Sequence, residues 1–257
     1  MTEAVLVASP ATGVIVTGGA SGIGRASAEA LAAVGRPVAI WDIDGSRAAA
    51  TAADIAATSG VATVGIAIDL TRLDGIAEGI AASRSALGSL GGLVHAAGVV
   101  DTGSLDGLTP ETWQSGIDVH LRALAFITQA LLPDLGANAG SAIVAIASIN
   151  ATLGNAVNPV YSAAKGGMLS LVRSLADRLA RDRIRINSVS PGMIVTPMMQ
   201  PAIDATPGGW FERRILLERL GRPEEIGRVV RFLLSDEASY VTAAEIVVDG
   251  GNISSQR

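Results

Sequence analysis

Gly13-Val14-Ile15-Val16-Thr17-Gly18-Gly19-Ala20-Ser21-Gly22-Ile23-Gly24 is a β-branched run that ends in a glycine-rich turn and passes into an alanine-rich segment reaching Val34. A short, continuous apolar run reads as a strand buried on both faces, and the alanine-rich segment reads as a helix. Glycines at such a strand-to-helix turn permit a tight bend and let backbone N–H groups approach a pyrophosphate at the helix N-terminus. The turn alone is weak evidence, and its surroundings strengthen it. The next apolar run, 37–41, ends at Asp42. A carboxylate there can accept hydrogen bonds from ribose hydroxyls while repelling a 2′-phosphate, which points to NAD over NADP. The plain alternative for Asp42 is a strand-end turn residue.

Outward from this turn, apolar runs recur at 61–68, closed by Asp69, and at 92–95, 142–147, 184–189 and 246–248. Helical candidates lie between them at 45–59, 72–88, 109–132, 160–182 and 223–234. Alternation of this kind predicts an α/β protein, a doubly wound seven-stranded parallel sheet with helices on both faces, built as one domain over 1–257. The segment 193–209, rich in Pro, Met and Gly, has no clear element. A loop of that length reads as a substrate lid, placed near 193–211, or else as a simple connection.

Composition excludes several classes. The chain has 257 residues, 49% hydrophobic and 17% charged, with a net charge of -5 and no cysteine. The apolar content excludes a disordered chain, and the acidic balance argues against a nucleic-acid partner. Without cysteine there is no disulfide framework, thiolate metal site or cysteine nucleophile. Two histidines far apart in sequence, His95 and His120, suggest no metal site. The N-terminus lacks a basic signal region, and the uncharged stretch 135–164 is interrupted by Asn138, Asn150, Asn155, Asn158 and Pro159. Both point to a cytoplasmic protein with no membrane partner.

Of 19 basic side chains only Lys165 is lysine, and it stands four residues after Tyr161, one of two tyrosines. On a helix these positions share a face, so phenol and ammonium stand together. A nearby cation favours the phenolate and is expected to lower its pKa towards a range useful for acid–base work. Ser148 follows the fifth strand, at the sheet end where open α/β folds place ligands. Its hydroxyl can hold a carbonyl oxygen beside the phenol, or simply cap a loop.

Taken together, Thr17, Gly18, Gly22 and Gly24, with Ser148, Tyr161 and Lys165 in register, make the chain resemble the short-chain dehydrogenase/reductase family over about 10–253. The resemblance implies a Rossmann-like fold, NAD as cofactor and catalysis by Ser148, Tyr161 and Lys165. It implies cofactor contacts from Gly18, Ser21, Gly22, Ile23, Gly24 and Asp42, from Asp69 and Leu70 at the adenine, and from Ala96, Ala97 and Gly98. Tyr161 and Lys165 would join Pro191, Gly192, Ile194 and Thr196 around the nicotinamide. Ser21 stands where NADP-preferring members carry a basic residue, in agreement with Asp42. Asn187 and the ending Val248-Asp249-Gly250-Gly251 also match.

Two departures stand out. Where the family often has Asn-Asn-Ala-Gly, this chain has His95-Ala96-Ala97-Gly98, so the amides that brace the sheet are missing. His120 stands where a helix asparagine holds a water of the proton relay; imidazole can pass protons there or merely fill space.

The expected reaction is reversible hydride transfer between NAD(H) and a secondary alcohol or ketone of small-molecule size. Tyr161 would exchange the hydroxyl proton, Ser148 would hold the substrate oxygen, and Lys165 would lower the tyrosine pKa. Met198, Met199, Trp210 and Phe211 suggest an apolar substrate wall. An NADPH-dependent 3-oxoacyl-carrier-protein reductase is the alternative, with Arg173, Arg178, Arg181 and Arg183 as a docking patch or as a solvated helix end. A non-catalytic NAD(H)-binding redox sensor is the alternative of another class. The resemblance also implies a homotetramer.

Overall fold

Seven strands form one sheet in the computed structural model, which describes residues 10–254. They are β1 (Gly13–Thr17), β2 (Val38–Asp42), β3 (Thr63–Ala67), β4 (Leu90–His95), β5 (Ala142–Ile146), β6 (Arg185–Pro191) and β7 (Glu245–Val248). The order is β3-β2-β1-β4-β5-β6-β7, and every adjacent pair is parallel. Each expected strand is present, with its ends moved by a few residues. Because β1 lies between β2 and β4, the connections leave it in opposite directions. That reversal opens a crevice beyond the C-terminal ends of β1 and β4.

The helices are α1 (Gly22–Ala32), α2 (Gly45–Ser59), α3 (Ile76–Leu87), α4 (Pro110–Ile117), α5 (Ala123–Ala137), α6 (Asn150–Leu153), α7 (Pro159–Ala180), α8 (Gln200–Asp204) and α9 (Pro223–Leu233). The single helix expected over 109–132 is two, α4 and α5, joined by a π-turn at Asp118–Arg122. The Ala123 N–H donates to the Asp118 carbonyl, five residues back, while the Asp118 carboxylate is held by Gln114 at 2.7 Å and Arg122 at 3.0 Å. One residue is thereby inserted into the helical path, and His120 turns into the protein. Segment 193–211 is not structureless, since it contains α8 and is anchored by the Ile194–Gly221 bridge.

Side chains alternate across the sheet, as a pleated strand requires. Ile15 packs with Trp41, Leu93, Leu124, Ile127 and Met168 on one face, whereas Val14 and Val16 pack with Leu31, Ile40, Ile226 and Val230 on the other. Each fully buried leucine contributes about 2 kcal/mol of transfer free energy. Gly227 lets α9 approach α1, since a Cβ there would lie 2.5 Å from the Ala26 carbonyl oxygen. Two arginines close the opposite end of the sheet. Buried Arg36 donates to the Thr12 and Leu234 carbonyls, both at 3.0 Å, and Arg185 donates to those of Leu233 and Ser235. They satisfy carbonyls at the C-terminus of α9 that have no helical partner.

The uncharged stretch 135–164 is divided among the end of α5, β5, α6 and the start of α7. Among the described residues no helix is long and apolar enough to cross a membrane.

Candidate active site

At the crevice the glycine turn meets the loop after β6. Gly18 holds φ +62°, and a Cβ there would lie 2.7 Å from the Ala97 Cα. Gly22 holds φ +51°, and its Cβ position is 3.4 Å from Thr196 Cγ2. A side chain at Gly24 would collide with the Gly18 carbonyl. Ser21 is extended and its hydroxyl does not cap α1, so no side chain of Ser21 occupies the first-turn amides around Ile23 and Gly24. Uncapped amides at a helix N-terminus suit an anion. Buried Pro191 and Ile194 flank Gly192, whose N–H donates to the Val248 carbonyl at 3.0 Å.

Asp42 ends β2 at the rim of this turn. One carboxylate oxygen accepts the Ala20 N–H at 3.1 Å and the other the Asp44 N–H at 3.2 Å. Each oxygen keeps a second lone pair for an incoming hydroxyl. Beyond β3, Asp69 accepts the N–H and the hydroxyl of Thr71 at 2.9 and 2.7 Å, next to buried Leu70. Glycines that no side chain can replace, open helix amides and a rim carboxylate together fit a dinucleotide.

The brace expected to be missing after β4 is supplied by His95. Its Nδ1 accepts the Thr17 hydroxyl at 3.0 Å, and its Nε2 donates to the Val119 carbonyl at 3.0 Å. The Thr17 oxygen in turn accepts the N–H groups of Ala96 and Ala97, both at 3.2 Å. Burial pulls the His95 pKa down to about 4, and the nearby Lys165 charge acts in the same direction. The ring is therefore neutral, in the tautomer this bonding requires.

Ser148, Tyr161, Lys165 and His120 converge at the C-terminal ends of β4 and β5. Ser148 accepts the Asn150 N–H at 3.1 Å and is hydrogen-bonded to Tyr161. Lys165 lies one turn along α7, with its ammonium 2.5 Å from the Ile146 carbonyl and 5.4 Å from the centre of the Tyr161 ring. The buried imidazole of His120 stands edge-on to that ring, with centroids 5.5 Å apart. A Cβ at Gly98 would lie 2.6 Å from His120 Cε1, so the loop can pass this imidazole only as glycine.

The charges differ from expectation. Burial pushes the Tyr161 phenol above its ordinary pKa, and the Ser148 hydrogen bond pulls it only partly back. Burial also draws Lys165 down to about 7. Removal from water disfavours phenolate and ammonium alike, so helical proximity alone does not hold the phenol low.

Asp101 carries no motif, yet its carboxylate reaches the start of α7. Its two oxygens accept the Tyr161 N–H at 2.9 Å and the Val160 N–H at 3.2 Å. Of the four residues expected to form an apolar wall, Met198 and Trp210 are partly exposed. The Arg214 guanidinium covers the Trp210 ring at 3.4 Å, and Phe211 meets that ring edge-on. The adjoining cavity, about 780 Å³, is lined by Gly209, Trp210, Glu212, Arg213, Arg214 and Glu218. Four of these six residues are Glu or Arg, so this cavity is mainly polar, and none of Ser148, Tyr161 and Lys165 lines it.

Residues 18–252 match the family described as enoyl-(acyl carrier protein) reductase. The chain is 36% identical to a probable galactose dehydrogenase of Rhizobium meliloti, covering 93% of this chain and 94% of that protein. It is 32% identical to a 3-oxoacyl-[acyl-carrier-protein] reductase of Chlamydia pneumoniae, covering 93% and 95%. A short-chain glucose/ribitol dehydrogenase structure from Brucella melitensis superposes with a TM-score of 0.89 at 33% identity, over 96% of this chain and 98% of that one. L-sorbose reductase from Gluconobacter frateurii, solved with NADPH and L-sorbose, gives 0.89 at 27% identity over 96% and 98%. With the glycine turn, the parallel sheet and these relatives in agreement, the chain belongs to the short-chain dehydrogenase/reductase family of oxidoreductases.

Proposed function

We propose that the protein interconverts a secondary alcohol and its ketone by hydride transfer with NAD(H). The observation that carries this reading is the convergence of Ser148, Tyr161 and Lys165 beside a glycine cradle whose rim is closed by Asp42. When bound, NAD(H) supplies the hydride acceptor or donor. The residues to hold it are Gly18, Ser21, Gly22, Ile23 and Gly24 at the pyrophosphate, Asp42 at the ribose, and Asp69 with Leu70 at the adenine. Ala96, Ala97 and Gly98 form the floor, and Pro191, Gly192, Ile194 and Thr196 the far wall.

Tyr161 takes the alcohol proton in oxidation and returns it in reduction, while Ser148 orients the substrate oxygen. Lys165 sets the charge beside the phenol and would hold the second ribose with its remaining donors. His120 passes protons onward from the buried phenol. Segment 193–211 borders the substrate. The reading includes a cytoplasmic homotetramer, for which exposed Trp113 on α4 and Phe126 on α5 are candidate apolar contacts.

A second reading, an NADPH-dependent carrier-protein reductase, is favoured by the relatives and by the NADPH of the sorbose reductase. Asp42 opposes it. So does the arginine patch, where Arg178 pairs with Asp182 at 2.5 Å and Arg181 with Asp177 at 2.9 Å. Arg178 also lies some seventeen residues along α7 from Tyr161, roughly 25 Å away at the rise of an α-helix.

Titration with NADH and NADPH, followed by reduced-nicotinamide fluorescence, tests the reading before any substrate is known. Tighter NADH binding, followed by turnover on an alcohol panel, supports it. Tighter NADPH binding promotes the carrier-protein reductase, and cofactor binding without turnover of any alcohol or ketone promotes a redox sensor.

A further inference from the structure

Helix α7 carries Tyr161 in its first turn but lacks a cap of its own. Pro159, at its first position, has no N–H, and the Ser162 N–H is already bonded to the Asn158 carbonyl. The Val160 and Tyr161 N–H groups remain, and buried helix-end amides need an acceptor. Asn158, at the N-cap position, does not supply one; its side-chain oxygen instead receives the Asn150 amide at 3.4 Å. Both amides are taken by Asp101, which comes from the loop after β4.

That loop is fastened on both sides. Val99 presents its carbonyl and its N–H to His120 Nε2, at 2.9 and 3.3 Å. The Ser104 N–H donates to the Val157 carbonyl at 3.1 Å, on the segment entering α7. Residues 99–104 thus form a strap between the π-turn and the catalytic helix, with Asp101 at its centre.

We propose that Asp101 is a positioning residue for hydride transfer: its carboxylate caps α7 from outside and fixes Tyr161 against Ser148 and His120. Two acceptor oxygens are needed for two N–H groups. Asparagine would offer one oxygen and set its own N–H₂ against the other amide. The carboxylate also meets the positive end of the helix dipole. Holding the backbone of Tyr161 fixes where its hydroxyl lies, and misplacement of a reacting group by about 1 Å can cost roughly 100-fold in rate.

This role rests on the proposed reaction, so the test reads the clamp in two ways. In steady-state kinetics, Asp101→Ala is expected to lower kcat roughly 10- to 100-fold. Asp101→Asn should fall between it and the parent protein. NADH affinity, measured by fluorescence titration, should stay within about twofold in both, because no cradle residue is touched. Asp134→Ala removes the carboxylate partner of Arg84 near the end of α5 remote from the π-turn and serves as the control, costing stability with kcat unchanged. The second readout needs no turnover: hydrogen exchange at the Val160 and Tyr161 amides should quicken in both Asp101 variants. An unchanged kcat in Asp101→Ala, or an equal loss in Asp134→Ala, overturns the positioning role. Unchanged amide exchange overturns the clamp itself. Quickened exchange in a protein that turns over no alcohol or ketone upholds the clamp and rejects the reaction it was meant to serve.

Discussion

Nε2 of His120 lies 2.9 Å from the carbonyl oxygen of Val99 and 3.3 Å from the amide nitrogen of the same residue. A protonated Nε2 donates to the carbonyl, while an unprotonated Nε2 accepts the amide. The ring can therefore exchange tautomers without losing its anchor. Nδ1 is buried and has no hydrogen-bond partner among the described residues, so that end of the imidazole is open to take or give a proton. Burial and the Lys165 charge, with a smaller effect from His95, hold the His120 pKa well below its ordinary value, which favours the neutral ring.

From this geometry His120→Ala is expected to lower kcat by about 10- to 100-fold, a loss in the range of proton-transfer groups, with NADH affinity unchanged. His120→Asn, which keeps hydrogen-bonding capacity, should recover part of the loss. A kcat within twofold of the parent in the alanine variant would show that the imidazole only fills space.

Burial of His95 makes stability depend on pH. The folded pKa of His95, about 4, lies below the ordinary value near 6.5. Below pH 6.5 the unfolded chain takes up a proton that the fold refuses. Stability from neutral His95 is thus complete above about pH 6.5 and is lost as pH falls towards 4, by up to ~3 kcal/mol. His120 acts in the same direction. Thermal unfolding at pH 7.5 and pH 5 should show a Tm drop that shrinks in His95→Asn. An equal drop in both proteins would assign the acid sensitivity to other groups.

What could be read from the chain follows from how local each feature is. The strands were legible because a buried parallel strand is a continuous apolar run, and the glycine turn because Gly18 combines φ +62° with backbone contact to Ala97 that leaves no room for a Cβ. Helix spacing puts Tyr161 and Lys165 on one face, but that pattern is weak by itself, and their expected role came from the family resemblance. The π-turn was not legible, because it changes which carbonyl the Ala123 N–H chooses and leaves the surrounding apolar pattern helical. Asp101 was hidden for another reason, since its contact joins residues 60 apart. The direction of the Tyr161 shift was missed because spacing reports the nearby cation but not the depth of burial that outweighs it.

The proposed preference for NAD(H) rests on Asp42. Its carboxylate sits at the rim of the cradle, fixed by the Ala20 and Asp44 amides. Asp42→Ala should weaken NADH binding by about 10-fold, as loss of hydrogen bonds to a charged acceptor does, and should strengthen NADPH binding by removing a charge that repels the 2′-phosphate. Fluorescence titration of both reduced cofactors measures the ratio directly. If the preference does not move, the ribose is read by something other than Asp42.

Lys165 is held at a cost to stability. Its ammonium is buried, its protein hydrogen bond goes to the Ile146 carbonyl, and its pKa falls to about 7. Between pH 7 and about 10.5 the unfolded chain binds a proton that the fold has released, so stability rises with pH across that window. Below pH 7 the burial penalty is present in full. Lys165→Met keeps the length of the side chain and removes the charge. At pH 7 it should raise stability by about 1–4 kcal/mol, visible as a Tm increase of ~5 °C, while kcat falls at least ~100-fold. The Tm advantage should fade above pH 10, where the parent lysine is neutral in both states. A lower Tm at pH 7 would mean that the bond to Ile146 and the packing around the ammonium outweigh its desolvation, and that the site does not trade stability for its charge.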